Sequence, residues 1–487
     1  MFVTGISILY LIMLVFTAMF IFLENKDNNK TISWLLVLVF LPVVGFVLYL
    51  IFGENVRSDK NSRRAKLTSE FFEHSDLVGI EAFDDLVRTQ KEGVRSLPIF
   101  RENDRRIISL ILNSGKFPVT SNNKVRVFEE GVSKFESLLR DIEEAQHHIH
   151  IEYFIIKDSV IGNKLREALI RKAKQGVKIR IIYDDLGSWR LHIEQSYLKS
   201  LKESGCEVYS YAMEKFPFLY RNINFRDHRK IVIIDGRIGY IGGINIGDEY
   251  VHQDPYFDFW RDTHLRIEGE AVYSLQIVFL LSWYLIREEM IKEGFLFPPI
   301  VRQLGYSMVQ IATSDASTPH ETIYQAYFSG ITGARRSIFI QTPYFIPDQA
   351  LLTGLKAALL SGVEVSIMFP SYPDHFVVYH ASHSYLEEVM ELGAKVYLYK
   401  KGFLHSKVVI IDRTFATVGT ANMDIRSFSL NAEINAFIYD DKSVDRLYNM
   451  FKRDIKDCVE VDYLRYRQKS VFKRFVEAFC RLFSPLL

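Results

Sequence analysis

A short pattern of polar residues occurs twice in this chain of 487 residues, and it constrains the fold more than any other feature. Both copies have the spacing His-x-Lys-x4-Asp, and they comprise His228, Lys230 and Asp235, then His405, Lys407 and Asp412. Seven residues after each aspartate comes a glycine, and three residues later an asparagine, giving Gly242 with Asn245 and Gly419 with Asn422. One copy of so short a pattern carries little weight, but two copies with a matched glycine and asparagine are not plausibly accidental. The chain is therefore predicted to contain an internal repeat.

The residues after each motif histidine favour a β-strand. Residues 231–234 and 408–411 are β-branched runs, and each run is closed by the motif aspartate as a turn residue. On an extended strand, side chains two positions apart point to the same face. Each histidine and its lysine should therefore reach one site from one strand. A single copy would fit an ordinary buried strand with a charged entry equally well, whereas the matched pair favours a site.

The repeat continues upstream of the motif and predicts the fold class. Three runs in the first half resemble three in the second, namely 150–155 with 340–345, 176–181 with 362–367, and 205–209 with 393–397. Helical patterns lie between them, at 162–175 and 350–361. Strands that alternate with helices of this length predict βαβ units and a largely parallel or mixed sheet. We expect an α/β fold of two tandem halves, 114–300 and 301–487, that share one active site at a pseudo-twofold interface.

The N-terminal residues predict a membrane anchor. Residues 5–23 and 32–52 are two uncharged apolar runs, each long enough to cross a bilayer as a transmembrane helix. A cleaved signal peptide is the alternative for the first run, but that run lacks a basic start and a small-residue cleavage site. Five basic residues follow the second run within 57–66, against two in the link 24–31. This excess predicts a two-helix anchor at 1–56, a charged connector at 57–113, and a catalytic body in the cytoplasm.

The repeated residue types suit phosphoryl chemistry on a diester. Lys230 and Lys407, with the amides of Asn245 and Asn422, can hold and neutralise the non-bridging phosphate oxygens. One imidazole can attack phosphorus and form a phosphohistidine. The other can protonate the leaving alkoxide and then deprotonate the incoming alcohol. The two imidazoles need opposite starting protonation states, and their titrations should be coupled.

Composition argues against several classes of function. The chain has 60 Lys and Arg against 59 Asp and Glu, so it lacks the global basic field that gathers nucleic acid. Its three cysteines are scattered and predict neither a disulfide framework nor a zinc site; they are Cys206, Cys458 and Cys480. His147, His148 and His150 look like a cluster. They are more typical of a strand entry than of a ligand set, although some role at the site stays open.

The paired motifs resemble the phospholipase D superfamily, and within it the chain is most similar to bacterial cardiolipin synthases. The closer resemblance rests on 42–53, 344–348, 419–424 with 431–433, and 484–487. It implies a membrane-bound phosphatidyltransferase without a metal or other cofactor, which joins two phosphatidylglycerol molecules into cardiolipin and glycerol. Phosphatidylglycerol, other anionic phospholipids and the membrane are the expected partners, and nucleic acid is not. The alternatives are a phospholipase D that hydrolyses phospholipid to phosphatidic acid, a membrane-tethered phosphodiesterase or nuclease, and a non-enzymatic lipid-binding scaffold.

Four carboxylates have expected roles, two of them through the resemblance and two through their position on the motif strands. Glu433 matches the family pattern of an acid that holds the far nitrogen of a catalytic histidine and so fixes its tautomer. Asp262 occupies the comparable strand entry in the first half and is expected to do the same. Asp235 and Asp412 lie at the far ends of the motif strands, so we expect them to be structural and to pair with lysines.

Aromatic residues flank the first motif. Residues 216–220 precede His228 in a segment 11 residues longer than its counterpart before His405, and residues 256–260 follow it. They are interpreted either as core packing or as an apolar lip for acyl chains. This longer segment, with the habit of the superfamily, favours His228 as the nucleophile and His405 as the general acid and base, although the repeat itself is symmetric.

Near the C-terminus an apolar stripe runs alongside basic residues. The stripe comprises Val471, Phe472, Phe475, Val476 and Phe479, and the accompanying basic residues are Lys469, Lys473, Arg474 and Arg481. Together they predict a basic amphipathic helix. That helix either binds an anionic membrane surface or docks on the protein body.

Overall fold

The computed structural model of the protein describes residues 19, 34–35, 37–39, 45, 57–73, 81–93, 101–193, 195–211, 225–315 and 320–487. The two predicted spans, 5–23 and 32–52, lie almost wholly outside these residues, as does the aromatic run 216–220. Within the ranges just given, no helix is long and apolar enough to cross a bilayer. Leu67–Tyr211 and Arg226–Leu487 form one compact unit, which carries both motifs. The other unit comprises Met1–Lys66 and Ala212–Phe225, and its main described element is the start of a helix at Arg57.

Helices occur throughout the described chain. In chain order they are α1 Arg57–Glu73, α2 Glu81–Gly93, α3 Glu102–Gly115, α4 Gly131–Glu144, α5 Val160–Lys174, α6 Trp189–Ile193, α7 Ser196–Glu203, α8 Ala271–Arg287, α9 Thr322–Gly333, α10 Gln349–Leu360, α11 Phe376–Met390, α12 Ile425–Ser429, α13 Asp441–Asp454, α14 Tyr463–Tyr466 and α15 Val471–Arg481.

The strands alternate with these helices. In chain order they are β1 Val119–Phe128, β2 His148–Tyr153, β3 Lys178–Tyr183, β4 Glu207–Ser210, β5 Lys230–Ile234, β6 Ile238–Gly242, β7 Trp260–Arg261, β8 His264–Gly269, β9 Ser307–Ser314, β10 Ser337–Gln341, β11 Phe345–Ile346, β12 Glu364–Pro370, β13 Lys395–Tyr399, β14 Phe403–Leu404, β15 Val408–Ile411, β16 Phe415–Gly419, β17 Met423–Asp424, β18 Glu433–Ile438 and β19 Cys458–Glu460.

Fifteen of the strands form one mixed sheet, in the order β19-β13-β12-β10-β15-β16-β18-β9-β1-β8-β6-β5-β2-β3-β4. Each half contributes three parallel strands, β2-β3-β4 and β10-β12-β13. The motif strands β5 and β15 run antiparallel to β2 and β10. At the centre, β9 pairs with both β1 and β18 and joins the halves into one sheet. The predicted α/β fold of two tandem halves is confirmed.

The strand register tests the repeat alignment residue by residue. Ile149 lies opposite Ile234, and Ile338 lies opposite Ile411, so Ile149 corresponds to Ile338. The predicted match of 150–155 with 340–345 is therefore wrong by one residue, whereas the match of 176–181 with 362–367 is correct. The cause is that β2 and β10 are buried at every position. Strands without an inside–outside alternation give the sequence no register signal.

Two apolar cores lie along the sheet, and each contains residues from outside its own half. The core of the second half includes four residues of α3 from the predicted connector, Ile107, Ile108, Ile111 and Leu112. Conversely, Phe403 of the second half is fully buried in the core of the first half, together with Trp260. Phe403 lies two positions before a motif histidine. The cores therefore hold the two motifs in place relative to each other.

Candidate active site

Each motif histidine is held by a carboxylate from the opposite half of the chain. His228 Nδ1 lies 2.9 and 3.0 Å from the two carboxylate oxygens of Glu433. His405 Nδ1 lies 2.7 Å from Asp262 Oδ2. An ionised carboxylate can only accept a hydrogen bond, so each Nδ1 carries the proton and each Nε2 keeps a lone pair. The two Nε2 atoms are therefore available for attack or proton transfer.

Main-chain pairing builds this crossing. Strand β14 pairs in parallel with β7, and the His405 N–H then donates to Arg261 O over 2.7 Å. In the other direction a parallel bridge joins Asp227 to Ala432, and the His228 N–H donates to Ala432 O over 2.9 Å. Each histidine thus directly follows a bridge to the segment that carries the opposite carboxylate. Neither half could orient its histidine by itself.

The matched glycines of the repeat are required by close approach. A Cβ on Gly242 would lie 2.5 Å from Thr263 O, and a Cβ on Gly419 would lie 2.4 Å from Ile434 O. Thr263 and Ile434 each directly follow one of the two orienting carboxylates. Any larger residue would push those segments away from the histidines. Close backbone approach therefore explains why glycine occurs at both matched positions of the repeat, and no contact with a substrate is needed to explain it.

The two motif lysines are buried close to each other. Lys230 Nζ donates to His228 O over 2.7 Å, and Lys407 Nζ donates to His405 O over 2.6 Å. Burial lowers the pKa of Lys230 to about 7 and that of Lys407 to about 8. Glu433 opposes this shift for Lys230, while the nearby charge of Lys407 lowers the pKa of Lys230 further. An anion placed between the two ammonium groups would stabilise their charged forms.

The histidines are shifted towards their neutral forms. Burial lowers the pKa of both His228 and His405 to about 4, and the neighbouring lysines act in the same direction. Glu433 and Asp262 oppose these shifts and do not cancel them. Both imidazoles are therefore neutral near pH 7 in the free protein. A bound phosphodiester anion would raise these pKa values, which a general acid requires.

Asp235 and Asp412 have the expected structural role, but they bind main-chain N–H groups instead of the expected lysines. Each carboxylate accepts hydrogen bonds from three successive backbone N–H groups, those of residues 146–148 for Asp235 and 335–337 for Asp412. Both residues also have positive φ angles, 53° and 52°, in the turn after the motif strand. They connect this turn to the start of the neighbouring antiparallel strand, β2 or β10, which is a structural role.

The two repeat asparagines differ in their hydrogen bonds. Asn245 Oδ1 accepts from the Ile155 N–H over 3.2 Å, and its Nδ2 donates to the Tyr250 hydroxyl over 2.9 Å. The side chain of Asn422 bonds to Asp424. Its Oδ1 is buried and has no partner among the described residues. Both the oxygen and the nitrogen of the Asn245 amide therefore bind protein groups, whereas the Asn422 amide binds protein through one of the two atoms.

Aromatic rings surround the two histidines unequally. The ring centroid of His405 lies 5.3 Å from Trp260, 6.1 Å from Phe403 and 6.3 Å from Tyr250. His228 has Phe154 at 4.9 Å. In the aromatic run 256–260, Trp260 is buried and fits the core-packing interpretation, whereas Tyr256 is exposed as an apolar lip would require.

Two buried arginines near the motifs are absent from the sequence prediction. Arg229, the middle residue of the first motif, donates to Glu152, Ser282 and Thr313 at 2.9–3.3 Å. Arg261 makes a bidentate contact with Asp454 at 2.7–3.1 Å. An arginine between His and Lys was a usable signal for a buried ion pair. Asp454 lies 193 residues from Arg261, and no local pattern marks it.

The histidine cluster belongs to the first core. His148 and His150 are buried in β2, and both bind Gln276 at 3.0 and 2.8 Å. His147 stacks on Phe295. These contacts match the interpretation as strand residues. Among the residues that the structure describes, no group of three or more His, Cys, Asp or Glu is arranged to hold a metal ion.

Comparison with protein families matches both halves. Residues 138–255 and 327–455 match the model described as cardiolipin synthase, PLD-like domain. Residues 8–54 match a second model, described as phospholipase D-nuclease N-terminal. The two copies of the first model each contain one His-x-Lys-x4-Asp motif, so the repeat of the family model coincides with the repeat seen in the sequence.

Whole-chain comparison finds relatives of similar length. The chain is 41% identical over 486 residues to a cardiolipin synthase of Halalkalibacterium halodurans, covering 100% of this chain and 94% of that relative. It is 40% identical to the major cardiolipin synthase of Bacillus subtilis, with 99% and 98% covered. Among solved structures it resembles phosphatidylserine synthase of Haemophilus influenzae, with a TM-score of 0.60, 14% identity, and 78% and 100% covered. That last likeness shows the fold alone.

Proposed function

This chain belongs to the cardiolipin synthase family of phospholipase-D-like proteins, and from that premise we propose that it transfers a phosphatidyl group between two phosphatidylglycerol molecules. The products are cardiolipin and glycerol. The observation that carries the proposal is the shared site, in which His228 and His405 are each oriented by the opposite half beside two buried lysines. Such a site suits a reaction in which the phosphate stays bound while two different alcohols leave and arrive.

In the first step His228 Nε2 attacks the phosphorus of phosphatidylglycerol. The P–N bond forms as the P–O bond to the headgroup glycerol breaks, and His405 Nε2–H protonates the departing alkoxide. Lys230 and Lys407 neutralise the non-bridging phosphate oxygens. Asn245 in the first half and Asn422 in the second are the amides proposed to assist them. The products of this step are glycerol and a phosphatidyl-histidine. The proton on His228 Nδ1 stays hydrogen-bonded to Glu433, which stabilises the positive imidazole ring.

In the second step the neutral His405 accepts a proton from a glycerol hydroxyl of a second phosphatidylglycerol. That oxygen attacks phosphorus, the P–N bond breaks, and cardiolipin is released with His228 restored. Water in place of this alcohol would give phosphatidic acid instead. The aromatic rings around His405, of which Trp260 and Phe403 are buried in the core of the first half, give this histidine more apolar surroundings than His228 has. This arrangement supports His405 as the residue that serves the incoming lipid.

The test of the function uses purified full-length protein in detergent with labelled phosphatidylglycerol. We expect labelled cardiolipin as the main product, together with free glycerol. Labelled phosphatidic acid as the main product would identify a hydrolase. A parallel assay with labelled DNA covers the nuclease alternative, and nucleotide release without cardiolipin would overturn the proposal. Excess EDTA should change the rate by less than about twofold, because the donor groups of the site offer no set of oxygen ligands for a divalent ion.

We also propose the domain and membrane arrangement that the sequence predicts. Residues 1–56 would form a two-helix anchor and 57–113 a connector, with both catalytic halves, 114–300 and 301–487, in the cytoplasm. The match of residues 8–54 to an N-terminal module of phospholipase-D-like proteins supports a distinct segment there. Reporter fusions after Lys66 should be cytoplasmic, and fusions within 24–31 external. Neutral replacement of the five basic residues in 57–66 should scramble this orientation. A body that stays cytoplasmic in that variant would mean that these residues do not orient the chain.

A further inference from the structure

The helix α15 packs on the protein body through its polar side. Glu477 and Cys480 are almost completely buried, and Glu477 pairs with Lys469. Arg481 pairs with Glu388 on α11, and its guanidinium lies 4.1 Å from the ring centroid of Tyr385. These ionic and buried contacts fix which face of the helix is turned away from the body. The predicted docking on the body is thus present, but the face that docks is not the apolar stripe.

The outward face of α15 is apolar. We call it the phenylalanine face and define it as Val471, Phe472, Phe475, Phe479 and Leu482. Phe472 is 76% exposed, Phe475 is 65% exposed and Phe479 is 51% exposed. Large apolar side chains exposed together on one helix face mark an interaction surface rather than an ordinary part of a protein surface. Val476, which the sequence places in the same stripe, instead packs against the core of the second half.

Positive charge borders this face. Residues 463–483 contain six Lys and Arg, of which Arg465 pairs with Asp462, Lys469 with Glu387 and Glu477, and Arg481 with Glu388. Lys473 and Arg474 are exposed within α15 itself. An apolar helix face bordered by basic residues is complementary to an anionic lipid surface, where phenylalanine enters the acyl boundary and the cations meet phosphate groups. A soluble protein partner would call for no such uniform sign of charge.

The elements that flank α15 are connected to segments close in sequence to site residues. The main-chain N–H of Arg426 donates to Leu487 O over 3.1 Å, so the segment after α15 is fastened to the helix that follows Asn422 and Asp424. On the other side α15 packs on α11, where Arg481 pairs with Glu388. Asp374 lies just before α11, binds the Tyr344 hydroxyl and acts electrostatically on Lys407.

Exposed apolar residues continue from α15 to the start of α11. Phe376 at the start of α11 is 61% exposed, and its ring lies 4.4 Å from that of His380. His380 in turn interacts electrostatically with Glu477 and Lys473 of α15. Exposed residues of α11 and α15 therefore adjoin each other, and α11 begins directly after the segment of Asp374, which acts electrostatically on Lys407.

We propose that the phenylalanine face of α15 docks on the surface of an anionic bilayer and so fixes the orientation of the catalytic body relative to the lipid headgroups. This inference rests on the proposed function, because it assigns the surface from which both phospholipid substrates would enter. A hydrophobic anchor at residues 1–56 would hold the chain near the bilayer without orienting the catalytic body. Docking by α15 supplies that orientation.

The direct test places an environment-sensitive fluorophore on the full-length protein reconstituted in vesicles of phosphatidylglycerol and phosphatidylcholine. Phe475→Cys carries the probe in one sample and Tyr306→Cys in the matched control, with wild-type protein giving the labelling background. Tyr306 is 83% exposed and precedes the end of β9 that is remote from Glu433. We expect spin labels on the lipid chains to quench the probe at 475 and not the probe at 306. Equal quenching at both positions would overturn the proposal. A probe at 475 that is shielded from aqueous quencher but untouched by lipid quencher would also overturn it, since another copy or another segment of the chain would then cover this face.

An activity measurement separates docking from chemistry. The triple variant Phe472→Ser, Phe475→Ser, Phe479→Ser should need about tenfold more vesicle lipid for half-maximal rate, because most of the apolar contact with the bilayer is lost. On monomeric short-chain phosphatidylglycerol it should keep at least half of the wild-type rate. Equal loss on both substrates, or no loss on vesicles, contradicts the proposal. Wild-type protein that makes no cardiolipin would refute the proposed function, whereas the quenching result would still report on docking.

Discussion

The two halves of this protein have the same arrangement of motif histidine, lysine and orienting carboxylate, but they differ in the buried residues around the motif. Both present a histidine Nδ1 to a carboxylate of the other half and a buried lysine beside it. The middle residue of the first motif is Arg229, which donates hydrogen bonds to Glu152, Ser282 and Thr313. The middle residue of the second motif is Ser406, whose hydroxyl is 2.7 Å from the Thr263 hydroxyl and 3.2 Å from Gln341 Oε1.

The two halves therefore use different buried polar groups to support the motif strand. Glu152 and Gln341 occupy corresponding positions in β2 and β10, as the register of these strands shows. In the first half the glutamate takes an arginine from the motif itself. In the second half Gln341 donates a hydrogen bond to Asp454, and Asp454 forms an ion pair with Arg261 of the first half. Histidines in unequal surroundings can hold unequal roles, although their motifs are identical.

The largest effect is expected from the two orienting carboxylates. Glu433→Gln and Asp262→Asn should each lower kcat by about 10⁴-fold, because an amide favours the wrong histidine tautomer. Turnover of labelled phosphatidylglycerol gives the measurement. Asp235→Asn and Asp412→Asn are the matched controls: they should lower the melting temperature through their lost backbone contacts and affect turnover far less. If the turn variants lose as much activity as the orienting ones, the distinction between these two pairs of acids is wrong.

The lysines test whether the halves share one site. Lys230→Met and Lys407→Met should each reduce turnover by about a thousandfold, since each removes a charged donor from the phosphate oxygens. Membrane insertion and thermal unfolding should stay near wild type, because methionine preserves the buried stem. Near-normal turnover in either variant would show that one half works alone, which the crossed contacts do not allow.

The next effect concerns stability and the difference between Arg229 and Ser406. Arg229→Met leaves Glu152 and Asp227 buried without their cation and should destabilise the fold by about 3–5 kcal/mol. Ser406→Ala removes a neutral hydroxyl and should cost about 1 kcal/mol. Chemical denaturation of both variants under one set of conditions measures the difference. Equal costs would mean that the two halves are supported alike.

The smallest effect is a dependence of stability on pH. An unfolded histidine titrates near 6.5, whereas the pKa of His228 and of His405 is lowered to about 4 in the folded protein. Between these values the unfolded chain binds more protons, so stability falls as pH falls from about 6.5 towards 4. Each histidine should contribute on the order of 2 kcal/mol to the loss between pH 7 and pH 5. Unfolding midpoints of His228→Gln and His405→Gln should show a weaker pH dependence than those of the exposed control His375→Gln.

Much of the fold and part of the site follow from the sequence for physical reasons. Short β-branched runs alternating with helical patterns predict the sheet, and a repeated motif predicts that it is built twice. The identical offsets of Gly242 and Gly419 are explained by backbone approach, which leaves no room for a Cβ. Local spacing could not show the crossing of Glu433 to His228, because those residues lie 205 positions apart.

Two wrong predictions share one cause. The lysine-pairing role of Asp235 and Asp412 was inferred from their position at the far ends of the motif strands, but main-chain N–H groups at the start of β2 and β10 lie there and need acceptors. The one-residue slip between β2 and β10 arose because uniform burial removes the alternation that marks register. In both cases the deciding contacts lie between strands distant in the chain, where sequence patterns carry little information.

The central claim is that one histidine bonds to phosphorus and the other moves the proton. Phosphatidyl-p-nitrophenol tests it most directly, because its leaving group departs without a proton and therefore makes the general acid dispensable in the first step. A denaturing quench at mildly alkaline pH, at which the P–N bond is stable, followed by peptide mass spectrometry should find a phosphatidyl adduct on His228 in the His405→Ala variant, and none on His405 in the His228→Ala variant. An adduct on His405 with none on His228 would reverse the roles, and no adduct in either variant would contradict the covalent route.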